Sequence, residues 1–502
     1  MRTVGRSAAR LLLMMLSLGL PAAARAQEPA RPTLSLQDVI DYTLTGNPVI
    51  LRGTIDRDAR EGGLLEAGAP FGMILRASVS GVHERDANGG QGGLPVALTG
   101  ASYTIGASKL LRQGVLIEPE VLVSRASPGA IGDPYAASIA LRFELPLANN
   151  RWAAVQRAEE QASEARYQAA TLRLESAIAE GIRDAVLAYW DYLAAYHRLA
   201  VWDSAEARAR RMVSEMELLV RADERPAADL NQALARLSSQ RVARIAAEQE
   251  LIEARRKLGL AMGVDPAVIA ALPDPGTSFP PAEPFQPDSA TVERWVQAAL
   301  TRRADLAALI AESRALDIDL DAARNDLRPR LDLAGSFGFQ RVAPSSGGLL
   351  TTRQDGFVVS LGVHYAFAPA RAQARGRFAQ QLALRNHARV LHAQLLREIT
   401  STVHAAVAEL RRATAALLES RKAVELYREA VANERLKYEF GTATIMDVLL
   451  AEDALTVATL DEVARQLAQA RAVVRLRFET GLLVERSREG VVVNVHAPEP
   501  IP

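Results

Sequence analysis

The segment Tyr438–Glu452 gathers, at one point of the chain, the residue types able to make and release a polar contact. It reads Tyr438-Glu439-Phe440-Gly441-Thr442-Ala443-Thr444-Ile445-Met446-Asp447-Val448-Leu449-Leu450-Ala451-Glu452. Gly441 allows a helix to end in a left-handed residue. Thr444 can open the next helix, and Asp447 then sits in its first turn, where the N-terminal dipole favours an anion. A second turn, Asp223-Glu224-Arg225-Pro226-Ala227-Ala228-Asp229-Leu230-Asn231-Gln232, has the same layout. Asp229 aligns with Asp447, and Asp223 stands where Gly441 stands. Taken alone, each segment also fits an ordinary helix–turn–helix corner.

Residues for covalent or metal chemistry are not arranged to perform it. The seven histidines include His387, His392 and His404 on one predicted helix. They lack the i, i+4 His spacing of a helical zinc site and any H-E-x-x-H motif. No G-x-x-x-x-G-K-[ST] phosphate loop and no G-x-S-x-G elbow occurs. Cysteine is absent, which excludes disulfides, thiolate catalysis, Cys-ligated metals and a lipidated N-terminal Cys. Without a nucleophile–base or metal constellation, no catalytic residue and no cofactor is expected. Lys+Arg and Asp+Glu both number 59, so no global charge points to nucleic acid. Tyr189, Trp190, Tyr192 and Tyr196 fit a stacking platform for bases, but their heptad spacing favours a packed seam.

The elements that must position the two turns are long. The chain opens with Arg2, Arg6 and Arg10, an apolar run Leu11–Leu20, and Ala24-Arg25-Ala26. That is a signal peptide over 1–26, with Gln27 as the mature start. No later apolar run is long enough for a spanning helix. The mature chain then uses one design twice, over 27–262 and 289–484, separated by a proline-rich linker 263–288 and followed by a flexible tail 485–502. Each copy has opening helices that stop at a proline, Pro70 or Pro329. The period then changes from 3.6 to 2. Strands are expected at about 73–83 and 136–145, and at about 331–340 and 357–367. In the last of these, Phe357, Val359, Leu361, Val363 and Tyr365 alternate with smaller or polar residues. The pattern suits a barrel strand with one side to lipid, and equally an edge of a soluble sandwich. An inserted hairpin, 101–125, either joins the barrel or packs outside it. Trp152 suits an interfacial aromatic girdle, or core and hinge packing.

Helical hairpins follow at 152–259 and 370–481. Ile178, Ile182, Ala185, Tyr189, Tyr192, Tyr196 and Leu199 keep 4-3 spacing, as do Val403, Ala406, Leu410, Ala413 and Leu417, then Val424, Tyr427 and Val431. Such seams mark coiled coils. Arms of about 65–70 residues would reach about 100 Å at ~1.5 Å per residue.

Signal peptide, duplicated helix–strand–strand–hairpin units and the Tyr438–Glu452 motif together resemble the TolC family of outer-membrane efflux proteins. The motif meets the family pattern Y-x-x-G-x-x-x-x-x-D-V-L-x-A-[QDE]. The resemblance implies an α+β membrane protein: a β-barrel built from several chains, about four strands each, continued by a coiled-coil periplasmic tunnel. It implies a homotrimer with twelve strands, set in outer-membrane lipid, with a large periplasmic portion and no nucleic-acid partner. It further implies a passive export duct of a tripartite efflux or type I secretion system. A periplasmic adaptor (membrane fusion) protein and an inner-membrane pump or ATP-binding exporter would be its partners. Gating at the tip is carried over to Tyr438, Asp447 and Asp229, with Tyr438 and Asp229 as one pair. The tip turn and adaptor contact are carried over to Gly441, Thr442, Val448, Leu449 and Pro226. Ala443 and Leu450 replace an Arg and an Asp of the family archetype, leaving an acidic ring to Asp447 alone. The competing expectation is a soluble periplasmic coiled-coil scaffold without a barrel, consistent with an aromatic content of 5%.

Overall fold

The computed structural model describes residues 33–86, 96–127, 135–346, 348–351, 355–487 and 490–496. The expected signal peptide lies outside them. Ser35 and Asp38 form a capping box that starts α1 (Leu36–Gly46). Asn47 ends α1 and its side chain caps α2 (Pro48–Gly68), where Pro48 occupies a first-turn position that needs no N–H. A single 3-10 turn, Ala69–Phe71, breaks the helix at Pro70 and delivers the chain to the sheet.

Six strands form one antiparallel sheet in sequence order: β1 (Met73–Asp86), β2 (Val96–Leu110), β3 (Leu116–Ser127), β4 (Tyr135–Pro146), β5 (Arg330–Ala343) and β6 (Asp355–Ala366). The four expected strands are all present. The inserted hairpin becomes β2 and β3 and lies between β1 and β4, so each chain contributes six strands rather than about four. The hairpin is legible in the sequence, but its place is set by pairing with β1 and β4; Pro119 lies inside it, where a proline removes a ladder hydrogen bond. In the structure the β2–β3 register passes from Gly106↔Glu120 to Lys109↔Ile117, leaving the ladder open around Pro119.

The helical part is built on two helices of 68 residues each, α3 (Ala154–Arg221) and α9 (Ala372–Glu439). At ~1.5 Å per residue each is about 100 Å long. Their return arms are shorter than expected: α4 (Ala227–Met262) has 36 residues and α10 (Ile445–Glu479) has 35. Two further helices supply the missing length. α2 lies on the sheet-proximal part of α3, and its start meets the end of α4, where the Asn47 side chain donates to the Ala261 carbonyl at 2.7 Å. After α5 (Pro266–Ala270) and α6 (Ser289–Arg302), α7 (Ala304–Asn325) plays the same part beside α9. The short α8 (Gly348–Thr351) lies between β5 and β6. Four helical rows result, in the order α2 with α4, then α3, then α7 with α10, then α9.

Each repeat has its own core at mid-height. Ile182, Ala185, Tyr189 and Tyr192 of the expected seam pack with Val39, Ile40, Leu258 and Met262. Val403, Ala406 and Leu410 pack with Trp295, Val473 and Leu476. The tyrosines are therefore seam residues. The Tyr189 hydroxyl donates to the Leu34 carbonyl (3.0 Å) and accepts from the Thr277 N–H (3.1 Å). The linker is drawn across both cores: Phe279 lies against Trp190, and Phe285 stacks on Trp295. The tail, expected to be flexible, folds back as β7 (Val484–Ser487) and β8 (Gly490–Val493). Val484, Val493 and Val495 give it an apolar anchor on the first core.

Candidate functional site

The sheet has two chemically different faces. Side chains alternate across a strand, and the register aligns the same face on all six. One face carries Leu75 and Val79 of β1, Tyr103 and Ile105 of β2, Val121 and Val123 of β3, and Ile139 and Leu141 of β4. It continues through Phe337 and Phe339 of β5 to Phe357, Val359, Leu361, Val363 and Tyr365 of β6. Most of these large side chains are exposed, and Phe337, Phe339 and Phe357 cluster edge to face. The other face is polar. Ser80 pairs with Ser102, Arg142 with Glu120, Ser336 with Ser360, and Arg330 with Glu144. An apolar outside and a hydrogen-bonded inside describe a barrel wall. Among the described residues no helix is long and apolar enough to cross a membrane.

Where sheet meets helices, the backbone turns through left-handed residues. Asn150, Trp152 and Ala153 lead β4 into α3, and Arg371 leads into α9. Non-glycine residues pay for this conformation, so the surroundings must hold it. Arg371 donates to the Leu327 carbonyl (2.9 Å) and covers the Phe367 ring. Trp152 sits at the hinge by its backbone and is exposed by its side chain, with the Arg151 guanidinium over its ring.

At the far end, both hairpins turn together. Gly441 has φ +72°, as a left-handed helix end requires. Thr444 and Asp447 form a capping box: the Thr444 N–H (2.8 Å) and hydroxyl (2.7 Å) donate to Asp447 Oδ2. The Thr444 hydroxyl and N–H hold the Asp447 carboxyl below its ordinary pKa. In the first repeat Asp223 takes φ +60°, so it occupies the glycine position in the same conformation. Pro226 caps α4, and the Asp229 N–H donates to its carbonyl.

The sequence-derived assignments divide at this point. Gly441, Thr442 and Pro226 are exposed at the turns. Val448 is 1% exposed and Leu449 is buried with it, packed with Met212, Met216 and Ile445. They are core residues between the hairpins, covered within one chain rather than exposed at the turn. Their place on the inner side of α10 depends on α3, which a local motif does not contain. Tyr438 packs against the same cluster, with the Arg225 guanidinium over its ring at 5.2 Å. No hydrogen bond joins Tyr438 to Asp229 among the described residues; the pair is not made within one chain.

Sequence reasoning missed a charged contact just behind the tip. Arg236 of α4 pairs with Asp453 of α10, and Arg208 of α3 donates to Thr456 of α10 at 3.0 Å. Arg435 of α9 pairs with the buried Glu452. Burial lowers the pKa of Arg208 and of Arg236, and the Glu452 charge opposes this. The first two contacts cross from one hairpin to the other. The only local signal is that Glu452 ends the tip motif and Asp453 follows it.

The long-helix and barrel-wall layout is the fold of outer-membrane channels of known structure. The outer-membrane channel OprN superposes with TM-score 0.68 at 18% identity, covering 89% of each chain. The Campylobacter jejuni CmeC outer membrane channel superposes with TM-score 0.68 at 15% identity, over 93% of this chain and 94% of that one. The outer membrane protein VceC of Vibrio cholerae gives TM-score 0.66 at 17% identity, over 89% and 96%. No curated protein matches the sequence. Residues 295–482, the second repeat, match the family model described as outer membrane efflux protein.

Proposed function

We propose that the chain is the outer-membrane subunit of a tripartite efflux or type I secretion system, a passive duct gated at its periplasmic helical tip. The observation that carries this reading is the placement of open edges. β1 and the α2–α4 row bound one side of the chain; β6 and α9 bound the other. Among the described residues, both layers thus lack a neighbour on the same two sides. A head-to-tail contact that closes on itself would satisfy both, making a lipid-set barrel above a helical tunnel. A homotrimer is the assembly proposed. Unpaired strand edges cannot remain in lipid.

The gate falls to the tip, with Asp447, Asp229 and Tyr438 near its mouth and the Arg236–Asp453 contact holding the hairpins together. Opening would separate the second hairpin from the first. A periplasmic adaptor would meet the exposed turns at Gly441, Thr442 and Pro226, and an inner-membrane pump or ATP-binding exporter would supply the energy. Fractionation tests the reading: the protein should stay in the outer-membrane pellet through high-salt and carbonate washing, as an oligomer. Release into the wash as a monomer would return it to the soluble-scaffold class.

A further inference from the structure

The β2–β3 hairpin raises a question of bore. Resting on the duct reading above, we propose that this hairpin is lipid-facing barrel wall, and that its two strands widen the barrel to the full width of the helical tunnel. Three observations place it there. First, both strands are paired on both sides, β2 with β1 and β3 with β4. Second, Tyr103, Ile105, Val121 and Val123 continue the apolar face of their neighbours in register, while Thr104, Glu120 and Ser124 continue the polar one. Third, its turn is locked to the barrel–tunnel junction. Gly114 (φ +87°) lies so close to the Trp152–Ala153 backbone that an added Cβ would stand 2.6 Å from the Ala153 nitrogen. Beside it Arg112 pairs with Glu160 of α3 and covers the Phe71 ring. A hairpin folded outside the wall would have neither the register nor this anchor.

The widths then agree. Six strands about 4.8 Å apart, tilted about 40°, occupy about 38 Å of circumference. Four helical rows at about 8–10 Å occupy about 32–40 Å. Four strands at the same tilt would cover only about 25 Å, and the duct would narrow at the membrane. The match holds for any number of copies. With three, eighteen strands enclose a barrel about 36 Å across its backbone, in the range that leaves an aqueous channel. The outer end then passes whatever the tunnel passes, and size selection is left to the periplasmic tip.

The chain has no cysteine, so single-cysteine variants carry one label each. Bimane is attached to Tyr103→Cys, Val121→Cys, Thr104→Cys and, as the barrel control, Val359→Cys, in the assembled protein reconstituted with doxyl-labelled lipid. Quenching of Tyr103→Cys and Val121→Cys to the level of Val359→Cys, with Thr104→Cys unquenched, is the expected result. Quenching of Val359→Cys alone overturns the proposal and leaves the duct standing. Loss of quenching at Val359→Cys as well overturns both.

Discussion

Asp453→Ala should open the resting channel, and the size of the effect follows from where the contact lies. Arg236 and Asp453 join α4 to α10, so the bond breaks when the second hairpin swings from the first. The Arg side chain is largely buried, and the Asp side chain is 37% exposed. A hydrogen bond between charged groups contributes about 1.5–3 kcal/mol; solvent screening at the Asp end reduces this to about 1–2 kcal/mol. In a symmetric trimer opening in one step, the loss counts three times, about 3–6 kcal/mol, or roughly two to four orders of magnitude in the closed-to-open ratio. Arg208 faces the same helix and keeps its bond to Thr456, so opening should remain partial. Conductance in planar bilayers reads the change directly. Arg236→Ala should behave alike, and the double variant should add little, because the partners share one contact. If Asp453→Ala conducts like the parent, or the two single effects simply add, the contact does not hold the tip shut.

Three further outcomes are expected. Replacing Tyr189 by Phe leaves the Thr277 N–H without its acceptor, while the Leu34 carbonyl keeps the Gly276 N–H, and should cost about 1–3 kcal/mol, seen as a lower midpoint of thermal unfolding. The Asp447 carboxyl has a lowered pKa in the folded turn, so its contribution is present above the unfolded value and lost as pH falls through the folded one. Acidification below the ordinary carboxylate range should therefore speed amide exchange across Thr444–Val448 relative to the rest of α10, and Asp447→Asn should remove that pH dependence. On β6, Leu361→Arg places a charge on the apolar face at a cost of about 2–4 kcal/mol near mid-membrane, whereas Ser360→Arg faces the polar side. The first should reduce folded protein recovered from the outer membrane and the second should not; equal yields would contradict the assigned faces.

Local pattern settled much of this protein. Phe357 to Tyr365 alternates with period 2, so strand identity and the apolar side are written in neighbouring residues. The seam through Ile182, Tyr189 and Tyr192 likewise declares both a long helix and its buried side. Gly441, Thr444 and Asp447 encode their turn because its hydrogen bonds run over three to five residues. What lay beyond the sequence depends on contacts between distant segments. The β2–β3 segment reads as a hairpin, but its own residues do not say what it pairs with; its place in the wall is decided by pairing with β1 and β4 and by the fit of Gly114 against Ala153. The arm lengths were misjudged because α2 and α7 precede the strands yet lie along α3 and α9. Val448 and Leu449 look like surface at a turn until Met212 and Met216 cover them. Arg236 and Asp453 are 217 residues apart, and no period links them. A chain fixes which face of each element is apolar through its own spacing, but which element covers that face is decided only when the whole chain has packed.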